Sequence, residues 1–225
     1  MRVTDFCIES LHNISTSAAH HGFPDVVRWR DVYWAACRIG TAHASYDGMV
    51  AVLRSSDFRR WSLVTTFRDP GLPDIRDPKF LATEQRLFVY MPTWLHPAPD
   101  DLRFGKENRV THFSSTADGV VWEPLAEACE RGWCMWRPAT FEGVHYAAGY
   151  LIGPWKDKDY SDKAYCDRWR VDLLRSEDGK NWERAATIAE SNGPNETAVA
   201  FEPDGTLLAL VRREYRPDGA RTVTD

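Results

Sequence analysis

The chain of 225 residues has no run of about 18 apolar residues. Its opening stretch, MRVTDFCIESLHN, also lacks the apolar segment of a secretory signal. No membrane partner is expected, and the sequence as it stands reads as cytoplasmic; a secreted or periplasmic location would need a segment ahead of Met1. Basic charge is scarce too. With a formal net charge of -5, any polyanion-binding surface would have to be local, so nucleic acid is not an expected partner. The cysteines Cys7, Cys37, Cys129, Cys134 and Cys166 form no C-x-x-C pair, and no His/Cys cluster has zinc spacing. They read as buried reduced thiols, with no metal and no cofactor implied. A long amphipathic helical stripe is also missing.

What is present is aromatic: 10 Trp and 8 Tyr within a chain that is 43% hydrophobic and 27% charged. Those proportions suit one folded domain over residues 1–225. Flat rings fill β-sheet cores, and they also stack against sugar rings.

One short pattern recurs. Ser55-Ser-Asp57-Phe-Arg-Arg-Trp61, Thr116-Ala-Asp118-Gly-Val-Val-Trp122 and Ser176-Glu-Asp178-Gly-Lys-Asn-Trp182 follow one another at intervals of about 60 residues. In each, the hydroxyl and carboxylate suit a tight turn, and the Trp is placed to start a strand and plug the core. Between the turns lie short apolar or alternating runs: Pro24 to Arg30, Val32 to Ile39, Met49 to Ser55, Arg86 to Trp94, Val110 to Ser115, Val144 to Leu151, Trp169 to Ser176, Thr197 to Glu202 and Thr206 to Arg213. About four strands per repeat predicts an all-β fold, a β-propeller of four-stranded blades. Three turns and a final hairpin make about three and a half blades. The expectation is that the chain belongs to a propeller of five or six blades, incomplete at its C-terminus, or that it closes by self-association.

The repeated turn resembles a shortened Asp-box, the signature turn of the sialidases (the exo-α-sialidase and neuraminidase superfamily). Gly193-Pro-Asn-Glu196 through Arg212-Arg213 is similar to the sialidase stretch in which a Glu opens one strand and an Arg ends the next. The segment from His20 to Trp61 resembles the first blade of bacterial sialidase-like proteins. Where sialidases carry an Arg before Ile-Pro, this chain has His21-Gly22-Phe23-Pro24. The resemblance implies a glycoside hydrolase that cleaves a glycosidic bond of an acidic sugar, with Glu196 activating a nucleophile, Asp47 as acid/base and Arg212 binding the sugar carboxylate.

In a propeller the first strands of the blades converge on one mouth, so polar residues near blade starts are the ones that can meet. Arginines Arg38, Arg76, Arg137 and Arg212 suit a carboxylate, each guanidinium donating two parallel hydrogen bonds. Tyr146, Tyr150 and Asn195 are further candidates to contact a carbohydrate substrate. Three carboxylates offer a second assignment, because Arg76-Asp77-Pro78 resembles the motif of furanosidase-like propellers: Asp25 as base or nucleophile, Asp77 as orienter, Glu196 as acid. A third places His21 and His43 as base and acid of a polysaccharide lyase acting on a uronate polymer. A non-catalytic carbohydrate-binding propeller completes the alternatives.

Overall fold

The computed structural model describes residues 11, 13–14, 20–96, 108–152 and 161–222. Cys7, most of the Pro-rich turn after His96 and most of the charge run starting at Lys156 lie outside the described residues. The first blade is β1 (His20–Trp29), β2 (Val32–Gly40), β3 (Met49–Ser55) and β4 (Ser62–Phe67), antiparallel and in chain order. The second opens on an interrupted strand, β5 (Asp74–Ile75) and β6 (Lys79–Ala82), both paired with β7 (Leu87–Trp94), and continues through β8 (Arg109–Thr116) to β9 (Ala126–Glu127). The third is β10 (Cys134–Phe141), β11 (Val144–Leu151), β12 (Arg170–Ser176) and β13 (Glu183–Glu190), with a short helix α1 (Lys163–Cys166) before β12. A hairpin of β14 (Pro194–Phe201) and β15 (Leu207–Arg213) follows. The blade reading is correct, and the strands missing from it have local causes. Pro78 and Pro138 interrupt β5/β6 and β10, since proline cannot donate to a ladder. β13 is an exposed edge whose sequence, ERAATIAE, carries no apolar alternation.

The core lies in the seams between blades. Alternate residues of β7 face opposite neighbours: Leu87, Val89 and Met91 pack with Trp34, Val50 and Val52 of the first blade, whereas Phe88 and Tyr90 pack with Met135, Ala147 and Leu174 of the third. A third seam joins Tyr150 and Val171 to Val199 of β14. Both faces of a middle blade are thus buried, which accounts for its nearly continuous apolar runs.

The repeated turns hold as expected, and their tryptophans do more than plug their own blade. Asp57, Asp118 and Asp178 each accept from two successive main-chain N–H groups at 2.7–2.9 Å and from the Ser or Thr two residues earlier. Trp122 then meets Trp34 and Phe67 of the preceding blade edge-on, and Trp182 meets Tyr90. Tyr90 in turn donates its Oη–H to the Gly179 carbonyl at 2.6 Å. The second and third turns therefore dock their blades on the one before, whereas Trp61 of the first meets Phe58 of its own turn.

The first strands β1, β6, β10 and β14 adjoin one another in that order. Every one carries the same irregularity. In β1 the residues Phe23-Pro24 stand opposite one residue, Cys37; in β10, Arg137-Pro138 stand opposite Ala147; in β14, Asn195-Glu196 stand opposite Arg212. Between β5 and β6, Asp77-Pro78 stand opposite Met91. Two residues facing one is a β-bulge, a device that bends a strand and re-aims side chains. At Phe23, Asp77 and Arg137 the backbone φ is 56°, 44° and 36°. A residue before proline ordinarily stays extended, so these positions hold strain on the order of 1–3 kcal/mol each.

Candidate functional site

The bulges bring together residues that lie far apart in the sequence. Phe23, Asp77, Asn195 and Glu196 line a cleft of about 420 Å³, together with Arg76, Trp94, Tyr150 and Arg212. His43, Glu214 and Arg221 complete its polar lining. A larger hollow of about 600 Å³ lies at the turn end of the second and third blades, lined by residues such as Thr83, Glu84, His145 and Asp178. Asp178 there is committed to its own turn, so the chemistry points to the cleft.

Asp77 is a deeply buried carboxyl of the cleft. It is 3% exposed, and its Oδ1 has no hydrogen-bond partner. Burial pushes its proton affinity up; the cations of Arg76 and Lys79 oppose this, while Glu196 and Asp74 add to it, and the balance lies above the usual carboxylate range. Arg76 sits flat on Trp94, 3.6 Å from the ring centre, with Phe23 at 5.0 Å. Its Nη1 donates to the His43 carbonyl at 2.8 Å and to Asp74 at 3.0 Å, and its Nε lies 3.6 Å from Asp77 without a hydrogen bond.

On the opposite side Arg212, with 49% of its side chain exposed, bridges two carboxylates: Nη1 to Glu196 at 2.6 Å and Nη2 to Glu214 at 3.0 Å. Burial would weaken this guanidinium's hold on its proton, but Glu196 and Glu214 outweigh that and raise it. Asn195 donates to Glu214 at 2.7 Å, leaving its own Oδ1 buried without a partner. Tyr150 is buried, and desolvation first, then Cys134, Glu196 and Asp77, push its phenol well above its ordinary value. It is a proton-bearing wall of the cleft.

Other expected residues lie elsewhere. Arg38 is fully buried and spends its guanidinium on Asp74 at 2.8 Å, the Ala42 carbonyl and Ser45, so it braces a loop and is not in the lining of the cleft. Asp47 lines a separate crevice with Arg68 and Pro70. Although burial raises its carboxyl, hydrogen bonds from Ser45 and Thr41 outweigh that and lower it, opposite to what an acid needs. Asp25 accepts from the Phe80 N–H at 2.9 Å and faces Arg137 at 3.4 Å, joining β1 to β6 beside the cleft and not within its lining. Arg137 itself is half exposed. Tyr146 packs on Phe201, ring centres 5.0 Å apart, away from the cleft; the tyrosine that reaches it is Tyr150. His21 and His43 do not form the expected pair: the rings against His43 are those of Phe23, 5.1 Å away, and His20, 5.8 Å away, and His21 lies 4.0 Å from the Cys37 sulfur. Desolvation, then the neighbouring Arg76, His20 and Arg38, lower His43 below its ordinary value. Among the described residues no group of three His, Cys, Asp or Glu is disposed to hold a metal ion.

Trp94, Glu214, Arg221 and Lys79 were not singled out by the sequence. Glu214 had a signal: it follows Arg212 by two residues, so on a strand both point the same way.

No protein-family model and no curated protein matches the sequence. Solved structures do. A Dyadobacter fermentans protein of unknown function superposes with a TM-score of 0.66 at 18% identity over 89% of this chain and 63% of that one. Trypanosoma rangeli sialidase, solved with 2,3-difluorosialic acid as a covalent intermediate, gives 0.64 at 14% identity over 86% of this chain and 34% of its own. The Bombyx mori GH32 β-fructofuranosidase, solved with sucrose, gives 0.58 at 15% over 90% and 42%. The chain has a sialidase-like β-propeller fold. It spans less than two thirds of each of these neighbours. At such identities the likeness establishes the fold, one shared by glycoside hydrolases.

Proposed function

We propose that the chain supplies the sugar-binding cleft of a glycoside hydrolase that cleaves the glycosidic bond of an acidic sugar. The observation that carries this reading is Asp77, a buried carboxyl raised above its usual range, in one cleft with a second, salt-bridged carboxylate, Glu196. Glycoside hydrolysis needs one carboxyl that bears a proton and one that does not, and a buried carboxyl of raised proton affinity fits the first role. Asp77 donates the proton to the leaving oxygen. Glu196, salt-bridged to Arg212, is unsuited to the acid role and acts as base or nucleophile. Arg212 and Arg221 face the sugar carboxylate, and Trp94 and Phe23 give the cleft an apolar wall. Both neighbours with enzymatic names are glycosidases, which supports the reaction class.

The test is mass analysis of products after incubation with sialosides, uronate polymers and neutral glycans, using the chain alone and within any longer natural form. Fragments with one added water are expected, and Asp77→Asn should cut the rate by about 10²–10⁴-fold. An unchanged rate in that variant overturns the assignment. Unsaturated fragments would instead indicate a lyase, and saturable binding without product a sugar-binding propeller.

A further inference from the structure

We infer that Asn195 presents a fixed hydrogen-bond acceptor to the cleft and selects a sugar by one of its hydroxyl groups, with Glu214 as the positioning residue that sets the polarity of the amide. The inference rests on the reading of the cleft as a sugar site and adds a specificity determinant to it. Asn195 is 3% and Glu214 4% exposed, and both line the cleft. Asn195 comes from the bulge of β14, where it and Glu196 stand opposite Arg212. Glu214 directly follows the last residue of β15, and its backbone is held on both sides: its N–H donates to the Gly193 carbonyl at 3.1 Å, and its own carbonyl accepts from the Thr222 N–H at 2.8 Å. Gly193, with φ +63°, admits this side chain, since a Cβ there would stand 2.9 Å from the Cβ of Glu214.

These contacts fix which way round the Asn195 amide sits. One oxygen of Glu214, Oε1, accepts from Asn195 Nδ2 at 2.7 Å and lies 3.0 Å from Nη2 of Arg212. A carboxylate accepts hydrogen bonds and has none to donate, so the amide turns its NH2 to Glu214 and keeps its oxygen for another partner. That oxygen, Oδ1, is buried and meets no donor among the described residues. A buried acceptor left unpaired is costly, and in the wall of a ligand cleft it is a donor on the ligand that completes it. The hydroxyl is the donor that every sugar carries. Arg212 is tied to Glu196 as well as to Glu214, so the orientations of the amide and of the guanidinium are set together. An analogue with hydrogen in place of the selected hydroxyl leaves Oδ1 unpaired, the situation in which a polar site discriminates most strongly.

The experiment is calorimetric titration of the parent, Asn195→Ala and Glu214→Gln with the methyl glycosides of sialic acid and glucuronic acid, their hydroxyls replaced one at a time by hydrogen or by fluorine, which has no proton to donate. In the parent, loss of one hydroxyl should weaken binding by about tenfold or more, and Asn195→Ala should bind the hydroxyl and deoxy forms of that sugar alike. Equal binding of all deoxy forms by the parent, or discrimination that persists in Asn195→Ala, overturns the inference. Should Asn195→Ala not fold, Glu214→Gln decides. Its amide can donate to Oδ1, which allows Asn195 to turn its NH2 toward the ligand, so the penalty for fluorine at the selected position should shrink. A purely structural loss would weaken the hydroxyl and fluoro sugars by the same factor, and that result overturns the inference. Binding of neither glycoside by the parent overturns it together with the proposed function. Discrimination by a protein that releases no product keeps this inference and ends the proposed reaction, and product formed without discrimination does the reverse.

Discussion

At the scale of single residues, carboxyls of one chemical type are driven to opposite ends of their range by their partners. Asp57 and Asp178 accept main-chain N–H groups in their turns, and their pKa values fall from the ordinary 3.8 to about 2. Asp77, which accepts none, rises. The turn aspartates contribute stability that is fully present above the unfolded value and lost as pH falls through the folded one. Stability measured by urea unfolding should therefore decline between about pH 4 and about pH 2. Asp178→Asn should lower the unfolding midpoint at neutral pH and flatten that decline; an unaltered slope would show that the turn carboxylate is not linked to folding. The sequence offered Asp47 and Asp77 as equals. Only their surroundings, the hydroxyls of Ser45 and Thr41 for one and the dry cleft for the other, separate them.

At the scale of elements, turn and bulge do different work. The turn after β8 needs Gly119, whose φ is +75°, and a Cβ there would come within 2.8 Å of the Trp34 ring in the preceding blade. Gly143, between β10 and β11, has φ +80° and nothing within 4 Å. Gly143→Ala should cost about 1 kcal/mol, the backbone contribution alone. Gly119→Ala should cost about 1–3 kcal/mol more, because a seam must open as well. Equal losses in thermal unfolding would show that the turn does not bear on the seam. The bulges were half visible: Phe23-Pro24, Asp77-Pro78 and Arg137-Pro138 recur once per blade, yet the fourth copy, Asn195-Glu196, has no proline. It shares only a backbone geometry with the others, and no residue pattern records that.

At the scale of the whole molecule, one buried cluster ties the first two blades. Asp74 accepts from Arg38 of the first blade and Arg76 of the second, and His96 stands 3.4 Å away. Burial raises Asp74, but His96, Arg76 and Arg38 outweigh it and hold the carboxyl below its ordinary value. Asp74→Asn strands two buried guanidinium groups and should cost about 3–5 kcal/mol. Calorimetry checks this; a loss under about 1 kcal/mol would mean that the seam packing alone joins the blades.

Strand pairing between chain neighbours, turn positions and the blade repeat follow from the sequence itself, because alternation, hydroxyl–carboxylate turns and tryptophans act over a few residues. Membership of the cleft does not. Arg38 and Arg76 look alike on paper, as do Tyr146 and Tyr150; the arginines are divided by the partners each guanidinium meets, and the tyrosines, four residues apart on one face of β11, by their place along the strand. That division, and with it the raised proton affinity of Asp77, depends on charges and apolar walls contributed by residues far away in the chain. They act together only once the seams have closed and excluded water.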